Sequence, residues 1–210
     1  MGNGLTPPGS DIGGVTRMDD GTLARTPSPP PGVVGLDARG GTTPPAANTT
    51  SIADRVVSFA RRQRGDRVGD GQCFALAHRA LRAAGAKSAA DYGEVTPDAD
   101  YVWGASVALS ALQPGDVIQF RNYQADVEIV TETSNATTTR TEEHTRPHHT
   151  AIVESVGGNG LVTVLEQNAP EGSPVVRSRL YMSSGTVESS NTTTTVRVRG
   201  TLSFYRPEPR

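Results

Sequence analysis

Gly157-Gly158-Asn159-Gly160 separates two short apolar runs, and an antiparallel hairpin is the arrangement that accommodates such a pattern. The first run is His149-Thr150-Ala151-Ile152-Val153-Glu154-Ser155-Val156, and the second spans Leu161 to Gln167. If the loop pairs symmetrically, Val156 lies opposite Leu161, Ala151 opposite Glu166 and His149 opposite Asn168. The period of two then gathers His149, Ala151 and Val153 on one side with Val164, Glu166 and Asn168. Opposed residues have β-carbons about 4.5–5.5 Å apart and diagonal ones lie roughly 7–8 Å apart. The imidazole of His149 therefore has both an amide and a carboxylate within reach. A slip of one residue would send them to opposite faces.

Strands dominate the remaining C-terminal half. Pro114-Gly115 has the chemistry of a type II turn, and Asp116 to Phe120 reads as the strand that leaves it. Val127 and Ile129 alternate with acids, and Thr137 to Thr145 reads as a return strand across a Ser134-Asn135 turn. Together these form an exposed hairpin insert over about 122–147. Thr194 to Arg199 and Thr201 to Tyr205 alternate with period two and make the last strand.

Two helices precede the strands. Ser51 followed by Asp54 is a helix-start pattern, with Ile52, Val56, Phe59 and Ala60 on one face and Gly65 at the end. The second helix opens at Cys73, after Gly69-Asp70-Gly71-Gln72, and closes at Gly85. Phe74, Ala77, Leu81 and Ala84 form its apolar stripe. Helices followed by a run of antiparallel strands define an α+β fold, with N-terminal helices packed on a sheet of about five to six strands.

Before Ser51 the chain changes character. Residues 1–50 hold 10 glycines and 8 prolines, no aromatic residue and only scattered aliphatics. Such a segment buries too little surface to offset its ordering entropy, so 1–50 reads as a disordered leader and 51–210 as one domain. A net charge of −2 argues against nucleic acid or anionic membrane as the main partner. No apolar run approaches membrane-spanning length, so no membrane insertion is expected. Met1 to Pro8 shows neither basic residues nor an apolar core, so no secretory signal is visible and the compartment stays open. A soluble, monomeric chain without cofactor or metal is the expectation.

Cys73 is the single cysteine of 210 residues. A thiol at a helix start meets unpaired amides and the positive end of the macrodipole, both of which favour thiolate. A thiol so placed, with a histidine oriented by a polar partner, is the layout of a cysteine hydrolase. In that layout Cys73 attacks an amide carbonyl and His149 protonates the leaving amine. Glu166 or Asn168 holds the imidazole tautomer, and the Cys73 N–H with the Gln72 side chain receives the oxyanion. Periodicity does not by itself bring Cys73 to His149.

The ordered series G-D-G-Q-C-F at Cys73, Y-V-W-G at Tyr101, L-Q-P-G-D-V-I-Q-F at Leu112, H-T-A-I-V-E-S-V at His149, L-E-Q-N at Leu165 and the closing G-T-L-S-F-Y-R-P resembles the CHAP family. These are the cysteine- and histidine-dependent amidohydrolases/peptidases of the papain-like (NlpC/P60) superfamily. The resemblance covers residues 51–207 and implies a papain-like fold, Cys73 as nucleophile, His149 as base, and Glu166 with Asn168 completing a Cys-His-Glu-Asn quartet. It implies amidase or endopeptidase activity, on peptidoglycan peptide or amide bonds or on a small glutathionylspermidine-like amide. Peptidoglycan as substrate would place the domain outside the cytoplasm. A binding module on the same fold that has lost catalysis is the alternative. Phe74 stands where many family members carry tryptophan, and the insert after Phe120 is long for the family.

Other assignments of the polar residues fit less well. His148 precedes His149, but alternation sends it to the opposite face. A metal site from His144, His148, His149 and Glu142 or Glu143 would need two adjacent strand histidines on one tetrahedron. Asp70 suits a loop-capping role, and His78, one turn into the second helix, suits a structural one.

Overall fold

The computed structural model describes residues 50–210, so the expectation of a leader over 1–50 falls outside the described residues but for its last position. Helix α1, Ile52–Arg62, starts at a capping box. The Ser51 hydroxyl accepts from the Asp54 N–H at 3.0 Å and the Asp54 carboxylate reaches back to the Ser51 N–H at 3.3 Å. Aspartate thus completes a box usually made by glutamate or glutamine. Val56, Val57 and Ala60 are buried, with Ile52 and Phe59 packed at the margin. Helix α2, Cys73–Ala83, ends before Gly85, whose φ of 74° is the left-handed conformation of a C′ glycine. Neither described helix is long and apolar enough to cross a membrane.

Among the described residues the sheet has seven strands: β1 (Ala105–Val107), β2 (Val117–Glu132), β3 (Thr137–Val156), β4 (Leu161–Glu166), β5 (Val176–Tyr181), β6 (Gly185–Ser189) and β7 (Thr192–Arg206). Their order is β1-β7-β2-β3-β4-β5, with β6 pairing β7, and every named pairing is antiparallel. The expected five to six strands fall short because β5 and β6 carry arginine, serine and threonine in place of an apolar alternation. The α+β layout stands.

The loop register is corrected in part. Ile152 pairs with Leu165 and Val153 with Val164, as symmetry about the glycine loop requires, but the register shifts between Val153 and Ser155. Val156 consequently faces Val162 instead of Leu161. The irregularity absorbs one residue at the loop end, and the ladder ends at Ile152–Leu165, short of the expected Ala151–Glu166 and His149–Asn168 pairs.

Two apolar layers hold the sheet. One side packs α1 and α2 through Val56, Ala60, Leu76, Ala77 and Leu81 against Val117, Ile152 and Leu165, with Trp103 fully enclosed. The other gathers Phe120, Tyr123, Ala151, Val153, Val164, Leu180 and Phe204. The Gln113–Asp116 turn is closed by a 3.1 Å hydrogen bond from the Asp116 N–H to the Gln113 carbonyl. Gly115 there has φ 90°, and a β-carbon on it would stand 2.6 Å from the Ala53 α-carbon. The turn therefore needs glycine both for its dihedral and for the approach of α1.

Residues 122–147 are the outer halves of β2 and β3, joined across Ser134-Asn135, where the Thr133 N–H meets the Ala136 carbonyl at 2.8 Å. β7 runs beside β2 as far as Thr192 and β6 beside β7, so the hairpin belongs to a wider four-stranded arm.

Candidate active site

Cys73 is the first residue of α2, with Gln72 at the N-cap in extended conformation. The Gln72 side chain makes no capping hydrogen bond, so the first amide of the helix stays available. The approach loop is set by Gly69 (φ 66°) and Gly71 (φ 86°), and the Asp70 carboxylate accepts from the Gln72 N–H at 2.9 Å. Asp70 is thus the loop-capping residue it was read to be.

The buried amide of Gln167 ties this loop to the sheet. Its Oε1 accepts from the Val68 N–H at 2.6 Å, and its Nε2 donates to the carbonyls of Val68 at 3.0 Å and Gln72 at 2.9 Å. One side chain from the end of β4 therefore fixes both ends of the turn that presents Cys73.

The same geometry supplies the contact that periodicity could not. Cys73 and His149 open into one cleft, and His149, with the backbone of Thr150 and of Phe74, acts directly on the thiol. Burial opposes ionisation of the thiol, but His149 and the two backbone groups outweigh it and hold its pKa below the ordinary value. For His149 burial acts in the opposite direction, toward a lower pKa, and is overcome by Cys73 and Glu166, which raise it. A thiolate–imidazolium pair is the state these shifts favour.

His149 Nε2 stands 3.0 Å from Glu166 Oε2, both side chains being almost wholly buried. The approach is a close charge contact whose direction falls short of a well-aligned hydrogen bond. With Nε2 turned to the carboxylate, Nδ1 is the nitrogen left for the thiol. Arg146 grips the same carboxylate with Nε to Oε2 at 2.8 Å and Nη2 to Oε1 at 2.5 Å. Burial would push Glu166 upward, but Arg146 and then His149 bring it down to about 2, so it stays anionic beside His149.

Asn168 is placed differently from the expectation. β4 stops at Glu166, so the pairing of Asn168 with His149 does not form. Asn168 takes φ 67°, accepts from the Gly172 N–H at 2.6 Å, and donates from Nδ2 to Gln72 Oε1 at 3.0 Å. Of the two residues offered as orienters of the imidazole, Glu166 meets it and Asn168 positions Gln72. His148, on the other face, has Nε2 2.8 Å from the Ala99 carbonyl and packs against Tyr101. His78 stacks on Phe74.

Cys73, His149, Gln72 and Asn168 open into a cleft of about 880 Å3. Its other walls are Phe74, the Val95–Pro97 loop with Tyr101, the β3 run from Glu143 to His148, and Ala169 to Glu171. Sequence reasoning missed three contributors. Arg146 was hidden among the charges of the threonine-rich stretch. Gln167 lies inside the quoted L-E-Q-N run without a role, and Thr150 was read only as strand.

A helix-borne thiol, a strand-borne histidine and a buried acid behind it define a protein of the cysteine proteinase fold. The chain belongs to the AIM3/BBC1 cysteine proteinase-fold domain family, whose profile matches residues 46–207. The match supports the papain-like level of the resemblance and does not single out CHAP. No curated protein matches the chain, and no solved structure does.

Proposed function

We propose that residues 51–210 are a cysteine-dependent amide hydrolase, with the first fifty residues a leader outside the catalytic unit. The observation that carries this reading is that Cys73, at the start of α2, and His149, on β3, open into one cleft with the buried Glu166 carboxylate 3.0 Å behind the imidazole. The Cys73 thiolate adds to an amide carbonyl carbon, forming a C–S bond. The oxyanion is received by the Cys73 N–H and by Gln72 Nε2, whose amide is held from its other end by Asn168. As the tetrahedral species collapses, His149 gives its proton to the departing nitrogen and an amine leaves. The now neutral imidazole takes a proton from water, whose oxygen attacks the thioester, and the acid is released with the thiolate restored. Glu166, kept ionised by Arg146, supports the imidazolium throughout.

The family match lends no support to peptidoglycan as substrate, so the reading is held at the amide bond. Alkylation by iodoacetamide at pH 6 tests the thiolate directly. Cys73 is expected to react well ahead of a free thiol, and His149→Ala to slow it by at least about tenfold, one pKa unit in thiolate fraction. Reaction at an ordinary rate that is indifferent to His149 would leave a non-catalytic module on this fold. Incubation with a peptide mixture, purified peptidoglycan and a glutathionylspermidine-like amide, scoring new amines, then identifies the bond.

A further inference from the structure

We propose that the cleft is a vacant strand position in the sheet, and that the substrate enters it as an extended polypeptide pairing with the outer edge of β3. The inference rests on the hydrolase reading and deepens it, since it selects a polypeptide over a small amide.

β3 runs for 20 residues, yet among the described residues it has a partner on its outer side only from Ile152 to Val156, where β4 lies. β4 would continue beside Thr150 and the residues before it, but it ends at Glu166. Gln167 turns away to bind the Val68–Gln72 loop, and Asn168 takes its left-handed turn. The space so vacated is the cleft, and the β3 segment from Glu143 to His149 forms its wall. A volume of about 880 Å3 is at the upper end for ligand clefts and exceeds the need of one small amide.

The ladder shows which groups this edge offers. Thr133 and Ala136 exchange a hydrogen bond across the hairpin turn, and Glu132 turns its N–H to Asn191 on the far side. Antiparallel pairs alternate, so with the observed register Ala125 and His144 face each other, while Glu143 and Thr145 turn their peptide groups outward. Both are exposed. The Thr145 carbonyl is taken by Arg146 Nη1 at 2.7 Å, which leaves the Glu143 N–H and C=O and the Thr145 N–H. At the inner end of the strand Val153 donates to the Asp116 carbonyl, so Thr150 turns outward as well, next to His149, which lines the cleft with Cys73. Pro147, opposite Asn122 with φ 51°, lies where the alternation changes phase and has no N–H to offer. The edge that binds an incoming strand at Glu143 and Thr145 therefore ends on the nucleophile, as strand addition at a sheet edge requires.

The test uses the full chain and vinyl methyl sulfones that alkylate Cys73, one carrying acetyl-alanine and one an acetylated eight-residue alanine–serine peptide, long enough to run from Cys73 past Glu143. The octapeptide is expected to label about tenfold faster, the size of two added backbone hydrogen bonds. N-methylation of its amides one at a time should remove the advantage at alternate positions only. The rate ratio should fall to about one in Glu143→Pro and persist in Thr141→Pro, which alters the same edge beyond the cleft. Equal rates for the two probes, labelling by neither, an N-methyl effect without alternation, or a ratio unmoved by Glu143→Pro overturns strand addition. The N-methyl series needs no variant, so it decides the question even if Glu143→Pro folds poorly. Failure here with His149-dependent iodoacetamide reactivity intact rejects the strand position and leaves the hydrolase reading standing.

Discussion

Arg146 closes on both oxygens of Glu166, the same carboxylate that lies 3.0 Å from His149, so the imidazole is held through a buried acid that is itself held. Removing one partner of such a pair strands a charge away from water. Arg146→Met is therefore expected to cost about 3–5 kcal/mol of unfolding free energy, read from urea melts. Arg146→Met with Glu166→Gln should recover part of that loss. If the single variant melts like the wild type, the fork contributes nothing to the fold.

Glu166 also sets an acid limit. Its pKa is about 2 in the folded chain against 4.5 for an unperturbed glutamate. A depressed folded pKa means that the unfolded state binds the proton first. The stabilisation is present above about 4.5 and drains away as pH falls toward 2. Denaturant midpoints taken from pH 6 to pH 2 should fall through that window, and Glu166→Gln should flatten the decline.

Reactivity of Cys73 should be high only between two limits. The acid limit is the thiol's own pKa, lowered by His149, and the alkaline one is the pKa of His149, raised by Cys73 and Glu166. Hydrolysis needs the imidazolium as proton donor and should fall on both sides, whereas alkylation needs only the thiolate and should fall on the acid side alone. In His149→Ala burial is left as the dominant influence on the thiol, so the acid limb of alkylation should move to higher pH. A stopped rate series from pH 4 to pH 10 separates these outcomes.

Gln167→Leu keeps the volume of the side chain but leaves the Val68 N–H without its partner. A loss of about 1–3 kcal/mol is expected, together with slower alkylation of Cys73, because the loop that presents it is no longer tied to β4. Unchanged alkylation in a destabilised variant would confine Gln167 to the fold.

What could be read from the residues follows from range. His149 and Glu166 lie on adjacent strands with a glycine loop between them, so short-range pairing was enough to join them. The Cys73 helix start was legible from its glycines for the same reason. The Cys73–His149 contact needed the docking of α2 against β3, which no local period encodes, and the family resemblance pointed to it. Asn168 was misplaced because periodicity carries a strand on until something visible stops it. What stops β4 is Gln167 reaching 95 residues back along the chain to Gln72. Arg146 sits past Pro147, where the alternation changes phase, so its side could not be counted from His149. β5 and β6 escaped because an edge strand in this sheet buries few side chains and has little reason to be apolar.

Cys73 is the single thiol of the chain, and it opens onto the cleft. Peroxide would convert its thiolate to a sulfenic acid, and no neighbouring cysteine exists to condense with it. Recovery must then come from an outside thiol. In its absence the sulfur advances to sulfinic acid and stays there, so the domain's working life under oxidants is set by the reductants around it.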